Sequence, residues 1–403
     1  MSSHFTMYSI TYITSSGSIS HIIMSFSSLG LSDPLLKAVA AHDYTNPYPI
    51  QQEAIPAILK GHDILGIAKT GSGKTAGFVL PMLERLQRRK TAINRSVKAL
   101  VLVPTRELAV QVAEVFQTMG AYLPRKIKTL AVYGGVSINP QMIAVRDAEV
   151  VVATPGRLLD LVASNALHLW DVEVLVLDEA DKMLELGFAD EMNQLFEMLP
   201  KKRQTLLFSA TLKDSIQEIR DHVLHNPIKI EIAEEPQNLD QIKQTAYRID
   251  TERKGPLLRY LIKEKQMKQV LVFVSSTRTA DNLVVKLRKN GIPAEAIHGD
   301  KSQGARTETL RKFKTGSLPV MVATDLISRG IDIQLLPYVV NYELPRSPKD
   351  YVHRIGRTGR AEAEGEAISL ITPDDEHHFK IIQKKMGKRV EIIETEDLSL
   401  KGY

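Results

Sequence analysis

The chain has 403 residues, of which 43% are hydrophobic and 25% charged, with a formal net charge of +5. This length exceeds what one hydrophobic core usually fills, so two domains of roughly 150 to 200 residues each are expected. The absence of cysteine excludes disulfides, thiolate metal sites and cysteine nucleophiles, and it fits a reducing cytoplasm. No apolar run reaches the roughly 18 residues that a membrane span requires. Histidine-only metal sites stay open, but the best-spaced pair, His222 and His225, lacks nearby carboxylates and is typical of a surface.

The first stretch of the chain differs in composition from everything after it. Residues 1–23 are rich in Ser, Thr, Ile and Tyr and contain no charged residue, whereas Met24 opens a segment that reads like a natural start. A secretory signal is disfavoured because the stretch lacks a basic start and a long apolar run. We therefore expect residues 1–23 to be a disordered or non-native leader.

Short apolar strands alternate with helical stretches over residues 24–232, which predicts a doubly wound α/β domain with a parallel sheet covered on both faces. The predicted strands are Ile64 to Ile67, Ala99 to Val103, Lys128 to Tyr133, Val150 to Ala153, Val174 to Leu177 and Thr205 to Phe208.

A polar, proline-containing segment at residues 233–241 interrupts this pattern and is typical of a linker. The alternation resumes over residues 242–392, which predicts a second domain of the same class, and a short tail follows at 393–403. The predicted strands of this half are Val270 to Val274, Ala294 to Ile297, Val320 to Ala323, Tyr338 to Tyr342 and Ala367 to Ile371.

A glycine-rich turn joins the strand that ends at Ile67 to a predicted helix at Ala76 to Leu83. The turn reads Ala-Lys-Thr-Gly-Ser-Gly-Lys-Thr over residues 68–75. A strand, a glycine-rich turn and a helix start in this order form a cradle of backbone N–H groups for phosphate. Lys74 would reach the β- and γ-phosphates of a nucleotide, and the Thr75 hydroxyl would ligate Mg²⁺.

Two acids follow the strand that ends at Leu177, and they open the sequence Asp-Glu-Ala-Asp at 178–181. The carboxyl end of a parallel strand is where an α/β sheet places its ligand contacts. Asp178 would hold Mg²⁺, and Glu179 would orient and deprotonate the attacking water. A helix N-cap cluster is the alternative interpretation, because acids favour that end of a helix.

Taken together, these motifs resemble those of the DEAD-box RNA helicases of superfamily 2. The resemblance runs from Phe26 to about residue 392, and its compact form is similar to that of bacterial RhlE-like members. Tyr48 stands where Thr is more common. The further motifs, in family order, are Tyr48-Pro-Ile-Gln51, Pro104-Thr-Arg-Glu-Leu-Ala109, Gly134-Gly135, Thr154-Pro-Gly-Arg157, Ser209-Ala-Thr211, Thr324-Asp325, Arg329-Gly-Ile-Asp332 and His353-Arg-Ile-Gly-Arg-Thr-Gly-Arg360.

The resemblance implies two RecA-like domains in tandem, joined by a short linker, that use ATP and Mg²⁺. It assigns Gln51 to the adenine edge, Phe26 to stacking on the base and Asp332 to the ribose. Arg357 and Arg360 would act as arginine fingers on the γ-phosphate, and they would share one side of a helical turn if that segment is helical. The full set of predicted nucleotide contacts also includes Thr70, Gly71, Ser72, Gly73, Lys74 and Thr75.

The resemblance also implies an RNA track and coupling residues. Small, hydroxyl and arginine side chains suit contact with a sugar-phosphate backbone, so sequence-independent binding is expected. Trp170, the single tryptophan, precedes a predicted core strand and is expected to pack in the core. Simple structural hydrogen bonding is the alternative for the coupling residues Ser209, Thr211 and His353. The residues assigned to RNA are Arg106, Gly135, Thr154, Arg157, Arg306 and Thr324.

The resemblance thus implies a cytoplasmic, monomeric RNA-dependent ATPase that separates short duplexes locally when its domains close on ATP and RNA. Three alternatives stay open: an ATP-gated RNA clamp or scaffold that seldom unwinds, a DNA-directed motor of the same superfamily, and a nucleotide-dependent switch protein. Ribosome-assembly or RNA-decay proteins are plausible partners.

Overall fold

The structure is a computed structural model, and the chain divides into two compact units, Met1–Glu234 and Glu235–Tyr403. The structure describes residues 10–13, 19–22, 25–68, 71–88, 97–212, 214–232, 242–325, 336–358 and 365–403.

The first unit contains a seven-stranded parallel sheet. Two short strands, β1 (Ile10–Ile13) and β2 (Ile19–Ile22), precede it and pair antiparallel with each other. The sheet is built from β3 (Ile64–Ile67), β4 (Ala99–Leu102), β5 (Thr129–Val132), β6 (Val150–Ala153), β7 (Val174–Leu177), β8 (Gln204–Ser209) and β9 (Ile228–Glu231). Their spatial order is β5-β6-β4-β7-β8-β3-β9, so the chain winds in both directions from its centre.

Helices cover both faces of this sheet. Successive strand residues point to opposite faces, and in β4 Val101 belongs to one hydrophobic cluster while Leu100 and Leu102 belong to the other. All four residues of β3, β4, β6 and β7 are buried, as expected for strands enclosed on both sides. The helices are Asp33–Ala41, Pro49–Leu59, Lys74–Gln87, Arg106–Gly120, Asn139–Ala144, Pro155–Ala163, Ala180–Glu185, Ala189–Met198 and Asp214–Val223.

The second unit repeats this architecture with another seven-stranded parallel sheet. Its strands are β10 (Ile242–Arg248), β11 (Val270–Val274), β12 (Ala294–Ile297), β13 (Val320–Thr324), β14 (Tyr338–Asn341), β15 (Gly365–Ile371) and β16 (Glu391–Glu394). The spatial order is β12-β13-β11-β14-β15-β10-β16. The flanking helices are Lys254–Glu264, Thr277–Lys289, Gln303–Lys314, Pro348–Ile355 and Glu376–Met386.

The predicted class, two doubly wound parallel-sheet domains in tandem, is confirmed. All eleven strands predicted in the two halves are present with bounds within two residues, whereas β9, β10 and β16 were not predicted. The proposed linker, residues 233–241, lies outside the described residues. No helix in the described part of the chain is long and apolar enough to cross a membrane.

The prediction for Trp170 is wrong. Its side chain is 65% exposed, because it lies in the turn before β7 rather than in the core. Its neighbours Leu167 and Leu169 are the buried residues of this segment. Because side chains alternate along extended backbone, His168 and Trp170 lie on the outer side.

Candidate nucleotide and RNA site

The strand-turn-helix prediction around the phosphate loop is confirmed for the part of the loop that the structure describes. β3 ends at Ile67, and the N–H of Ala68 donates to the Ser209 carbonyl at the end of β8 at 3.0 Å. Gly71 and Gly73 both have a positive φ, a backbone conformation that favours glycine, and the helix begins at Lys74 directly after them. Thr70 lies outside the described residues.

Lys74 is buried against its own loop. Its ammonium donates a hydrogen bond to the carbonyl of Ala68, and burial lowers the pKa of Lys74 from its ordinary value. The negative charges of Asp178 and Glu179 oppose this lowering of the pKa. The cation and the two acids therefore share one electrostatic environment, although they come from segments about 100 residues apart in the chain.

Asp178 is the candidate site residue whose environment best fits a metal ligand. It is 2% exposed and its N–H donates to the Leu102 carbonyl at 3.0 Å, which holds it at the end of β7. Burial raises the pKa of its carboxyl to about 6, and Lys74 opposes that rise. Its Oδ1 has no hydrogen-bond partner among the described residues. Buried polar atoms are normally paired, and a carboxylate oxygen is the ligand that Mg²⁺ prefers, so this donor fits a metal.

Glu179 adopts a backbone conformation that is rare for a side-chain-bearing residue, with φ at 53°. It occupies the N-cap position of Ala180–Glu185, but its side chain makes no capping hydrogen bond. Its Oε2 instead accepts from Lys182 Nζ at 2.8 Å. Strained residues of this kind cluster at functional sites, and here the strained residue carries the carboxylate that is predicted to act on water.

Gln51 connects the start of Pro49–Leu59 to the phosphate loop. Its Oε1 accepts from the Tyr48 N–H at 2.9 Å, and its Nε2 donates to the Gly73 carbonyl at 2.9 Å. Each amide atom retains capacity for one further hydrogen bond. An alanine Cβ at Gly73 would lie 2.5 Å from Gln51 Nε2 and 2.7 Å from Tyr48 Cδ2, so only glycine fits there. Phe26 is buried, with its ring 6.4 Å from that of Tyr44.

The Ser-Ala-Thr segment after β8 is tied to the acidic segment after β7. Ser209 Oγ donates to the Thr211 carbonyl at 2.8 Å, and Thr211 Oγ1 donates to Asp181 Oδ2 at 3.1 Å. The role of Asp181 was missed by the sequence reasoning, although its place as the last letter of Asp-Glu-Ala-Asp is a signal that points to it. A hydrogen-bonded chain therefore joins two neighbouring loops at one edge of the sheet.

The RNA candidates of the first unit lie at the same edge, after β4, β5 and β6. The Arg106 guanidinium packs against Gly135, where φ is +75° and a Cβ would collide with it. Thr154 is the N-cap of Pro155–Ala163 and donates its N–H to the Val132 carbonyl. Arg157 donates to the Val136 carbonyl at 2.8 Å. Because β5, β6 and β4 are adjacent in the sheet, these residues form one contiguous region at the edge where the strands end, which also carries the phosphate loop.

In the second unit, Thr324 ends β13 and Arg306 is buried on Gln303–Lys314, where it donates to Gln303. His353 is exposed on Pro348–Ile355. The helix ends at Ile355, so Arg357 lies in the turn beyond it, and the condition of a helical segment is not met at Arg357. The positions of Asp332 and Arg360 lie outside the described residues.

Arg354 is a residue whose role was missed. It is buried and makes a bidentate ion pair with Asp325, with Nε to Oδ1 at 2.6 Å and Nη2 to Oδ2 at 2.7 Å. Its Nη1 donates to Asn341 and to the Glu343 carbonyl, and its guanidinium lies 4.9 Å from the Phe273 ring centroid. These contacts anchor the helix that precedes Arg357 to the carboxyl ends of β11, β13 and β14.

No group of three or more His, Cys, Asp or Glu residues with metal-binding geometry occurs in the described ranges. The helix that carries His222 ends at Val223, so His225 lies beyond it and the two do not form an i, i+3 pair on one helix. The expectation that this pair lacks nearby carboxylates is wrong, because His225 Nδ1 lies 3.9 Å from Asp63 Oδ2. A single carboxylate with a hydroxyl, as at Asp178 and Thr75, is instead typical of Mg²⁺ that is held largely by phosphates and water.

Comparison with known proteins agrees with this arrangement. The sequence profile of the DEAD/DEAH box helicase matches residues 48–219, and that of the helicase conserved C-terminal domain matches residues 253–362. The chain is 40% identical over 373 residues to the DEAD-box ATP-dependent RNA helicase RhpA of Helicobacter pylori, covering 92% of this chain and 74% of that protein. It is 40% identical over 371 residues to the ATP-dependent RNA helicase CshA of Listeria monocytogenes, covering 92% and 70%.

Among solved structures, S. cerevisiae Dbp5 bound to RNA and ADP BeF3 aligns with a TM-score of 0.79 and 33% identity, covering 93% of this chain and 96% of that one. The narrower expectation of an RhlE-like subgroup stays a prediction. On the combined strength of both profile matches and these relatives, the chain belongs to the DEAD-box family of ATP-dependent RNA helicases.

Proposed function

We propose that this chain hydrolyses Mg²⁺-ATP when RNA is bound and uses the resulting cycle to separate short RNA duplexes locally, without regard to base sequence. The observation that supports this most is the buried Asp178 carboxylate, whose Oδ1 lacks a partner among the described residues, in the electrostatic environment of Lys74. The Oδ1 atom has no structural hydrogen bond to satisfy it, whereas a cation bound with ATP would do so.

The proposed roles follow from the chemistry of each side chain. Backbone N–H groups from Gly71 to Thr75 and the Lys74 ammonium hold the phosphates, while Thr75 and Asp178 hold Mg²⁺. When bound, Mg²⁺ would supply charge neutralisation to the phosphates. Glu179 orients the attacking water and accepts its proton. Gln51 reads the adenine edge with the hydrogen-bonding capacity that its two protein contacts leave.

Further roles are proposed for residues of both units. We assign Arg357 and Arg360 to the transition-state charge of the transferred phosphoryl group, Asp332 to the ribose, and His353, Ser209 and Thr211 to coupling. Because this catalytic set is divided between two units, hydrolysis requires them to close together on ATP and RNA. Backbone contacts from the assigned arginines, hydroxyls and glycines favour RNA through its phosphates and 2′-OH groups.

Substitution of Glu179 by glutamine tests the hydrolytic role. The variant keeps the size and one hydrogen-bonding oxygen but no longer accepts a proton, so RNA-stimulated turnover falls by about 10²- to 10⁴-fold. Binding of ATP and RNA persists in the variant. Glu197→Gln, at an exposed position on Ala189–Met198, is the matched control and retains full activity. Brisk ATP hydrolysis by Glu179→Gln would refute the assignment of the base.

A clamp that holds RNA without unwinding it is the second candidate. It is favoured only if ATP-dependent RNA binding occurs without duplex separation, which a strand-displacement assay on a short RNA duplex measures directly. Comparison of ATPase stimulation by RNA and by DNA of one sequence distinguishes the RNA-directed activity from a DNA-directed one. We also propose a cytoplasmic monomer, in keeping with the cysteine-free composition, that works with ribosome-assembly or RNA-decay proteins.

A further inference from the structure

The single tryptophan of the chain lies on the surface of the first unit, in a stacked pair of rings. The indole of Trp170 and the imidazole of His168 are nearly parallel, with centroids 3.9 Å apart and planes inclined by 13°. One exposed apolar side chain needs no explanation by itself. What distinguishes Trp170 is that the imidazole supports one face of a ring that is otherwise 65% exposed.

The neighbouring backbone holds this pair in place. Leu167 and Leu169 alternate with the two rings and are buried in the core, so the segment is anchored on its inner side. The segment leads into β7, and the Glu173 carbonyl accepts the Gln204 N–H at 2.9 Å at the start of β8. The platform formed by His168 and Trp170 is therefore at the amino-terminal edge of the sheet, opposite the edge that carries the phosphate loop.

Basic residues occur on the two segments that lead into the strands on either side of β7. The segment that leads into β8, beside the one that contains Trp170, carries Lys201, Lys202 and Arg203, and both lysines are exposed. On the other side, Lys98 Nζ contacts Asp171 Oδ2 at 2.7 Å and Glu173 Oε1 at 3.4 Å. The charge of Asp63 also acts on Arg203, so Lys98 and Arg203 are offset by carboxylates. The exposed Lys201 and Lys202 therefore carry the positive charge of this region, even without a contribution from His168.

We propose that the His168–Trp170 platform is a second contact for single-stranded RNA, on which one unpaired base stacks while Lys201 and Lys202 contact the adjacent phosphates. A flat aromatic ring with a free face beside cations is the combination that binds single strands without sequence preference. The positive excess favours a polyanion over an acidic or neutral protein segment. RNA that leaves the predicted track would be held at the far edge of the same unit by this contact.

The chain contains one tryptophan, so tryptophan emission, excited selectively over the 12 tyrosines, reports on this platform. The experiment titrates the full chain, without nucleotide, with a single-stranded oligouridylate of about 12 residues and records tryptophan emission. Stacking of a base on Trp170 gives saturable quenching. Lys201→Ala combined with Lys202→Ala shifts the titration to higher RNA concentration and reduces its salt dependence, because fewer phosphates are neutralised.

Two further variants separate this contact from the predicted RNA track. Arg106→Ala impairs RNA-stimulated ATPase activity but leaves the quenching in place, since Arg106 belongs to the opposite edge of the sheet. Conversely, Trp170→Leu leaves basal ATPase activity unchanged. In the Arg106→Ala background it weakens binding of a fluorescein-labelled oligouridylate by about 5- to 150-fold, the range expected for loss of one base–aromatic stack.

Emission that stays constant at RNA concentrations that saturate ATPase stimulation overturns the proposal, as does quenching that disappears with Arg106→Ala. Constant emission would favour a protein partner for this platform instead of RNA. Loss of quenching in Arg106→Ala would show that the emission reports RNA binding at the predicted track. Failure of RNA to stimulate the ATPase while quenching persists would count against the proposed function instead.

Discussion

Replacement of Gly73 by alanine tests the connection between the phosphate loop and Gln51. Gly73 has φ at +84°, and the added Cβ would lie 2.5 Å from Gln51 Nε2. Gly187 also has φ at +84°, but no other atom lies within 4 Å of the position of its Cβ. Gly187→Ala is therefore a matched control that introduces the same backbone strain without the collision.

The difference in stability between the two variants follows from the structure. Both carry the cost of a left-handed L-residue, about 1 to 2 kcal/mol, and both make the same change to the unfolded chain. Only Gly73→Ala displaces Gln51, which then loses its hydrogen bonds to Tyr48 and Gly73. At about 0.5 to 1.5 kcal/mol each, these bonds make Gly73→Ala less stable than Gly187→Ala by about 1 to 3 kcal/mol.

Denaturant unfolding of both variants measures this difference, and fluorescent-nucleotide binding measures its consequence for the site. Displacement of Gln51 removes its proposed hydrogen bond to the adenine edge, about 0.5 to 1.5 kcal/mol, so ATP binding weakens by roughly 2- to 13-fold in Gly73→Ala. Gly187→Ala binds ATP like the unmodified protein. Equal stability of the two variants, or unchanged ATP affinity in Gly73→Ala, would show that Gln51 is not held by the loop as described.

The remaining predictions concern Asp178, the second unit and the RNA region. In protein free of metal and nucleotide, the pKa of the Asp178 carboxyl is about 6 in the folded state against an ordinary 3.8. The folded state therefore binds this proton more tightly than the unfolded chain does. The resulting contribution to stability is fully present below about pH 4 and is lost as the pH rises through about 6. Asp178→Asn cannot titrate, so denaturant unfolding at pH 5 and pH 7 finds it more stable, relative to the unmodified protein, at pH 7. Arg357→Ala lowers the turnover number for ATP by about 10³-fold or more while KM changes little, and steady-state kinetics that show the reverse contradict an arginine finger. Arg354→Ala breaks a buried bidentate pair and lowers the free energy of unfolding by about 3 kcal/mol, whereas Arg311→Ala, in an exposed pair, leaves the unfolding midpoint nearly unchanged. Gly135→Ala reduces RNA stimulation but not basal ATPase activity, because its Cβ collides with the neighbouring arginine; equal stimulation of both proteins would argue against an RNA contact there.

Much of the fold could be predicted because buried parallel strands have a clear pattern. β3, β6 and β7 are apolar along their whole length, since both faces of the sheet are covered, and their predicted bounds agree with the structure. By contrast, β9 and β16 are edge strands with mostly exposed or half-buried side chains. Each of them pairs with a single neighbouring strand and buries few side chains. Their sequences therefore contain no apolar run from which a strand could be predicted.

The site divides in the same way. Residues that act on phosphate come in contiguous motifs, such as the loop that ends at Thr75, and those motifs are recognisable in one dimension. Their supporting contacts join distant segments: Thr211 to Asp181 across 30 residues, and Arg354 to Asp325 across 29. Trp170 shows the opposite error, because a large apolar side chain before a core strand is usually buried, and only the turn geometry places it outside.

The side-chain amide of Gln51 is assigned to the nucleobase, and it also donates a hydrogen bond to the backbone of the phosphate loop at Gly73. A guanine presents its donor and acceptor in the reverse order at the same edge. Binding it would require the Gln51 amide to take the opposite orientation from the one that donates to the Gly73 carbonyl. Binding of guanine would then change the conformation of the glycine-rich turn, although that turn encloses the phosphates and not the base. We expect discrimination between ATP and GTP to appear in the rate of phosphate cleavage as well as in affinity, so a GTP that is forced to bind at high concentration would still be cleaved slowly.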